Sequence, residues 1–303
     1  MSRYFFVETV PQVAYSLQFF TDKNTPFFVT NSESVKRFLD WYGIDRRMIL
    51  SSLENVEKST ICFFCKCWKL KMFKKIQKLS KNNTVYYYQR EPYTAIPSVS
   101  FKSRFLKFFV SVIYDLDVVI TKEADVDVVQ LSDNFFSKNN IKTIYENLNS
   151  KNETIKSKLE PLVGNNRILV LLSDLSFYGW ISEKRFLEFN KMLRSILKGK
   201  DYLVKFHPND KRTSFGYSSE QTIPSYIPAE YLFNFNWNLV IGIESYSLVL
   251  AGNNPTVVSC LDMLDFPEKV NKDCHRFLEN ETNHIVFPKD RTEFESIVVE
   301  ATK

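Results

Sequence analysis

The chain has 303 residues, 44% hydrophobic and 15% aromatic, enough to bury a sizeable core and to form about two domains. Forty lysines and arginines against 35 acids leave a formal charge of +5, and no RNA or DNA motif accompanies it, so nucleic acid is not an expected partner. No apolar run reaches the roughly 18 residues of a membrane span, and the start "MSRYFFVETVPQ" lacks the charged and apolar regions of a signal peptide, which points to a cytoplasmic protein.

In the first half, strand patterns at "RYFFVET", "PFFVT", "TVYYYQ" and "LDVVITK" alternate with helical periods at "VPQVAYSLQFF" and "SESVKRFLDWYG". Three of the five cysteines crowd into "CFFCKC" at 62–67, and their odd total suits a reduced compartment better than a disulfide frame. Tetrahedral zinc needs four ligands, usually as two spaced pairs; Cys260 and His275 are remote and unpaired, so no metal is expected. From Lys66 to Lys81 the chain carries seven lysines and no acid, with Trp68, Leu70, Met72, Phe73, Ile76 and Leu79 interleaved, and "FKSRFLKFF" follows at 101–109. Basic helices with an apolar face suit an anionic membrane surface, here the cytoplasmic face of an inner membrane. The same pattern describes a helix packed on a sheet with its lysines solvated. The acids of "EADVDVV" at 123–129 read as a solvated strand edge rather than a metal-binding cluster.

Polar, non-periodic "NLNSKNETIKSKLEPLVGNN" at 147–166 reads as a linker, after which "RILVLLSD" opens a second α/β unit. "ISEKRFLEFNKMLRSILKGK" has apolar residues at helical spacing, Ser182 placed as a cap and Gly199 as a stop. Strands at "DYLVKFHP", "NLVIGI" and "TVVSCL" follow. The alternation predicts an α/β protein of GT-B-like architecture: two Rossmann-like domains, 1–150 and 151–303, whose strand ends face a central cleft. Of the seven glycines only Gly43 precedes residue 164, so neither a "GxGxxG" nor a "GxxxxGK[ST]" phosphate loop is present, which argues against ordinary dinucleotide enzymes and P-loop NTPases.

One of the three histidines stands in "KFHPND" at 205–210. Alternation through Tyr202, Val204 and Phe206 predicts a strand that Pro208 stops, which puts His207 on the carboxyl edge where open α/β sheets bind ligands. A turn histidine hydrogen-bonded to backbone would look the same in sequence. Further on, "NLVIGI" ends at Glu244 and "SYSLVLAG" begins a predicted helix, with Ser245 at its cap and Ser247 in its first turn. Free N–H groups and hydroxyls at such a start suit a phosphate, and they equally suit an ordinary serine cap. His275 and His284 lie in polar contexts and carry no assigned role.

The order "LLSDLSFYGWIS", "KFHPND", "IPAEYL", "GIESYSLVLAG" resembles the carboxyl-terminal half of bacterial sialyltransferases, especially glycosyltransferase family 52 and the related capsular polysialyltransferases. The opening "YFFVETVPQVAYSLQFF" is similar to their first strand and helix, with "TVPQ" where "TPLQ" is usual; residues 43–165 match only in the rhythm of elements. The resemblance implies an inverting transferase that moves sialic acid or a related nonulosonic acid from a CMP-sugar to a glycan or glycolipid of the capsule or lipooligosaccharide. The donor would be a substrate bound by the second domain, the acceptor would lie with the first, and neither cofactor nor metal would be required. His207 would stand beside the donor phosphate together with Lys205 and Pro208, Ser245 and Ser247 would bind the same phosphate, and Glu230 of "IPAEYL" would contact the nucleotide. The chemistry is consistent with this, because a departing phosphate needs neutralisation that an imidazole could supply.

The family's general base, commonly in a pair of acids before glycine, has no match at "SFYG" or "YQREP". Asp174, at the end of "RILVLLSD", is the first candidate to face the cleft, and Glu91 is the second. The alternatives are another cytidine-nucleotide transferase using CMP-Kdo or CDP-glycerol, and a non-catalytic scaffold of glycan assembly; a homo-oligomer is left open.

Overall fold

The computed structural model describes residues 3–17, 26–52, 61–65, 85–88, 153–176, 179–208, 210, 215–245, 247–282 and 284–303. The chain divides into two compact units, Met1–Tyr145 and Glu146–Lys303. Each is Rossmann-like, its described strands forming a parallel sheet, which is the α/β class expected from the alternation.

In the first unit, β1 (Arg3–Phe6), α1 (Val10–Leu17), β2 (Pro26–Val29), α2 (Glu33–Tyr42), β3 (Ile49–Leu50), β4 (Ile61–Cys65) and β5 (Val85–Tyr88) form a sheet of order β3-β2-β1-β4-β5. Helix α1 starts where Gln12 of "TVPQ" turns back, its Oε1 accepting from the N–H groups of Glu8 at 2.6 Å and Thr9 at 3.1 Å, which fills donors that the first turn leaves open. Helix α2 buries Val35, Phe38 and Leu39 and stops at Gly43, whose φ of 103° is left-handed. The N–H of Ile44 then reaches Leu39 O at 2.9 Å and that of Gly43 reaches Asp40 O at 3.2 Å, a Schellman close that only glycine enters without strain. Strand β4 runs through the first two cysteines of "CFFCKC", so that segment is a sheet strand beside β1, although its sequence was read for its thiols. The lysines from 66 to 81, "FKSRFLKFF", "LDVVITK" and Glu91 lie outside the described residues.

In the second unit, α3 (Glu153–Val163), β6 (Ile168–Leu172), α4 (Glu183–Ile196), β7 (Tyr202–Phe206), β8 (Thr222–Ile223), β9 (Leu239–Gly242), α5 (Ser247–Leu250), β10 (Thr256–Ser259), α6 (Glu268–Glu281), β11 (Ile285–Val286) and α7 (Arg291–Ala301) form a sheet of order β11-β10-β9-β6-β7-β8. The linker reading of 147–166 is corrected here. Residues 153–163 form a helix in which Leu159 and Val163 are buried, two apolar anchors that a polar background hid. Every residue of β6, β7 and β9 is buried, as expected of central parallel strands covered on both faces, so the alternation read in β7 understated its burial. Ser182 caps α4 by accepting from the Arg185 N–H at 3.2 Å, and Phe186, Phe189 and Leu193 carry the helix onto the sheet. Among the described residues no helix is long and apolar enough to cross a membrane.

In both sheets the first strand lies in the interior, the second and third extend to one side, and the fourth returns to the other. That order places a switch point between β1 and β4 and another between β6 and β9. Ligands of open α/β sheets bind in the crevice outside the carboxyl ends of such a strand pair.

Candidate functional site

At the second switch point the chain leaves β6 through Ser173 and Asp174 and leaves β9 through Ile243, Glu244 and Ser245. Strand β7, on the other side of β6, exits through His207 and Pro208 to Asp210. Backbone bonds hold these exits in register. The His207 N–H donates to Leu172 O at 2.9 Å, and the Asp210 N–H donates to His207 O at 3.1 Å, closing the turn that Pro208 begins. The Asp174 N–H then donates to Asp210 Oδ2 at 3.0 Å. From the other flank the buried Ser259 hydroxyl donates to Ile243 O at 2.5 Å and fixes the exit of β9 against β10.

The side chains divide into an exposed edge and a buried layer. His207 is exposed and Pro208 half-buried. Ser245 and Ser247 are half-buried, and the Ser247 N–H donates to Ser245 Oγ at 3.3 Å. The predicted helix beyond them is corrected in length: α5 has four residues, too few to carry an aligned dipole, so only hydroxyls and local N–H groups are on offer there. Gly242 makes α5 fit, because a Cβ at that position would lie 3.0 Å from Leu248 Cδ2.

Beneath the edge sit three buried ionisable groups, Asp174, Lys205 and Asp210, with the half-buried Glu230 and Glu244 beside them. Asp174 is 2% exposed and accepts from the Ser176 hydroxyl at 2.6 Å, so it lies inside the exit rather than standing out as the cleft-facing base expected from sequence. Lys205 is 3% exposed, and its ammonium donates inward to Phe206 O at 2.5 Å and Ser225 O at 2.9 Å. Burial lowers that ammonium to about 7 against the opposing charges of Glu230 and Asp210. The half-buried Glu230, expected to contact a nucleotide, thus bears electrostatically on Lys205 from the 3-10 turn Ala229–Asn234.

Asp210 is 9% exposed; its Oδ2 is used by Asp174 and its buried Oδ1 has no hydrogen-bond partner among the described residues. Burial pushes this carboxyl up to about 6, with the charge of Asp174 adding to the rise and the hydrogen bond from the Asp174 N–H opposing it. Withdrawal from solvent likewise pushes Glu244 up to about 7, opposed by hydrogen bonds to its own backbone and Ser173 and assisted by the charge of Asp210. Sequence reasoning missed both residues. The signals were an acid two places after the proline of "KFHPND" and an acid directly at the end of "NLVIGI". Strongly shifted carboxyls gathered at strand ends are a mark of functional sites. Among the described residues no group of three His, Cys, Asp or Glu side chains could hold a metal ion.

No protein-family model matches the chain, and no curated protein sequence is similar to it. Among solved structures it is similar to UDP-GlcNAc 2-epimerase from Methanocaldococcus jannaschii, at 10% identity over 100% of this chain and 92% of that one, with a TM-score of 0.48. It is also similar to S. aureus MnaA in complex with UDP, at 10% identity over 100% of this chain and 88% of that one, with a TM-score of 0.47. These findings correct the functional expectation. One of these two structures is a UDP-GlcNAc 2-epimerase and the other holds UDP, neither being a CMP-sugar sialyltransferase, and the reading of a CMP-sialic acid donor, with the capsule or lipooligosaccharide product attached to it, is withdrawn.

Proposed function

We propose that the chain is a nucleotide-sugar enzyme whose second unit binds the nucleotide diphosphate at the switch point between β6 and β9. One observation carries the reading: Asp174, His207, Asp210, Glu244 and Ser245 all stand at the carboxyl ends of the three adjacent strands β6, β7 and β9. That edge is where sheets of this order take nucleotides, an inference by fold analogy to which the residues add chemistry. Ser245 offers a hydroxyl to a phosphate, and His207 offers an exposed imidazole that can neutralise it or move a proton. The substrate's sugar would extend beyond that edge.

Calorimetric titration with UDP-N-acetylglucosamine, UDP and ADP tests the reading, together with a mass-spectrometric search for sugar products after incubation. Binding of a nucleotide diphosphate that weakens about tenfold or more in His207→Ala and Ser245→Ala, with melting unchanged, is the expected result. No binding of any of the three, or binding that both variants retain in full, overturns it.

A further inference from the structure

A phosphate site floored by acids poses an electrostatic conflict. Asp210 lies within interaction range of Asp174 on one side and Glu244 on the other, and a bound diphosphate would bring more negative charge to the same strand ends. Lys205, the one buried cation of the group, is turned inward to two carbonyls. The conflict is relieved if carboxyls take up protons as the anion arrives. Asp210 Oδ1, buried and without a partner among the described residues, is an atom that can hold such a proton.

We propose that an anionic ligand seated at the ends of β6 and β9 draws protons onto Asp210 and Glu244, so that binding at this site and protonation of these two acids are one coupled event. The inference rests on the nucleotide-site reading above. Among the described residues, the groups facing Asp210 are Asp174 from the exit of β6, Lys205 from β7, His207 from its own turn and Glu244 from the exit of β9. Those facing Glu244 are Ser173, Asp210 and, from α6, Cys274, whose thiol feels the Glu244 charge. Burial pushes the Asp210 carboxyl up to about 6 and that of Glu244 to about 7, so nearby negative charge moves their protonation through neutrality, whereas an ordinary carboxylate would stay ionised.

By linkage, a ligand that raises a carboxyl's pKa binds with proton uptake, and its affinity falls as pH climbs past the value in the free protein. The probe is UDP-N-acetylglucosamine, whose disubstituted phosphates do not titrate near neutrality, so any proton exchanged belongs to the protein. Titrations at pH 7 in buffers of differing ionisation enthalpy should give a net uptake of a substantial fraction of one proton. Affinity should fall by up to about tenfold per unit between about pH 7 and 9 for one linked proton. Asp210→Asn and Glu244→Gln should each reduce the uptake, and the double variant should bind with an affinity nearly flat in pH.

Binding without proton exchange overturns this inference and leaves the nucleotide site standing. Uptake that survives in the double variant and disappears in His207→Gln or Lys205→Met overturns it too, by assigning the proton elsewhere. No binding at any pH overturns both readings. Should the double variant fold poorly, the two single variants supply the same comparison.

Discussion

The backbone N–H of Asp174 donates to Asp210 Oδ2 across 3.0 Å, so a side chain 36 positions further along the chain closes the exit of a neighbouring strand. Asp210→Ala leaves that buried donor without an acceptor and should cost about 1–3 kcal/mol of unfolding free energy. Asp210→Asn retains an acceptor oxygen and should cost clearly less. Denaturant unfolding of the two variants is the check, and equal losses would remove the hydrogen bond as the cause.

The same layer gives stability a definite pH dependence. Asp210 moves from 3.8 unfolded to about 6 folded and Glu244 from 4.5 to about 7, so between about pH 4 and 7 the folded state holds protons that the unfolded state has released, and stability falls as pH rises. Lys205 moves from 10.5 to about 7, so above about pH 7 the unfolded state is the one that holds the extra proton, and stability rises again towards the unfolded lysine value. The contribution of this cluster is therefore lowest near neutrality. Solvent screening holds the falling limb to on the order of 2 kcal/mol, well below what ~1.4 kcal/mol for each unit of the two shifts would sum to unscreened. Unfolding across pH 4 to 10 should give a falling limb that Glu244→Gln flattens; an unchanged profile in that variant would contradict the assignment.

Gly242→Ala places a methyl 3.0 Å from Leu248 Cδ2, tighter than packed carbons tolerate, and α5 must shift by a few tenths of an ångström to admit it. Since Ser245 lies between the two residues, the change should weaken UDP binding several-fold at a stability cost of about 1–3 kcal/mol. Unaltered nucleotide affinity in a folded Gly242→Ala protein would separate Ser245 from the ligand.

Away from the site, His275 on α6 meets Asp262 with Nε2 at 2.6 Å and Glu279 with Nδ1 at 3.3 Å, and its ring lies 4.5 Å from that of Phe287. It fastens α6 to the turn after β10 and to the chain after β11. His275→Ala should cost about 1–3 kcal/mol, mostly through the half-buried Asp262 contact, whereas Glu279→Gln should cost well under 1 because that pair is exposed. Thermal melts of the two variants rank the contacts, and the reverse order would refute this account.

Elements with strong periodicity and marked ends were legible in the sequence. The Ser182 cap and the apolar spacing of α4 are present as read, and so are the apolar runs of β6, β7, β9 and β10. The rest depended on tertiary context. Helix α3 was hidden by Asn, Lys and Ser and by Pro161 within it, while β8 and β11 have two residues each, too short for any period to register. In the site, the sequence pointed to the edge residues His207 and Ser245, which a motif displays. Asp210 and Glu244 owe their unusual state to withdrawal from solvent and to neighbouring acids, Asp174 for the first and Asp210 for the second, and that proximity exists only once three strand exits are stacked.

The two-residue strands have one more consequence. β8 and β11 are the outermost members of the second sheet, so each of its rims presents a ladder of only two residues. A rim that short cannot template a strand from another molecule, which protects six largely apolar strands from fibril-like stacking without a charged guard on every edge.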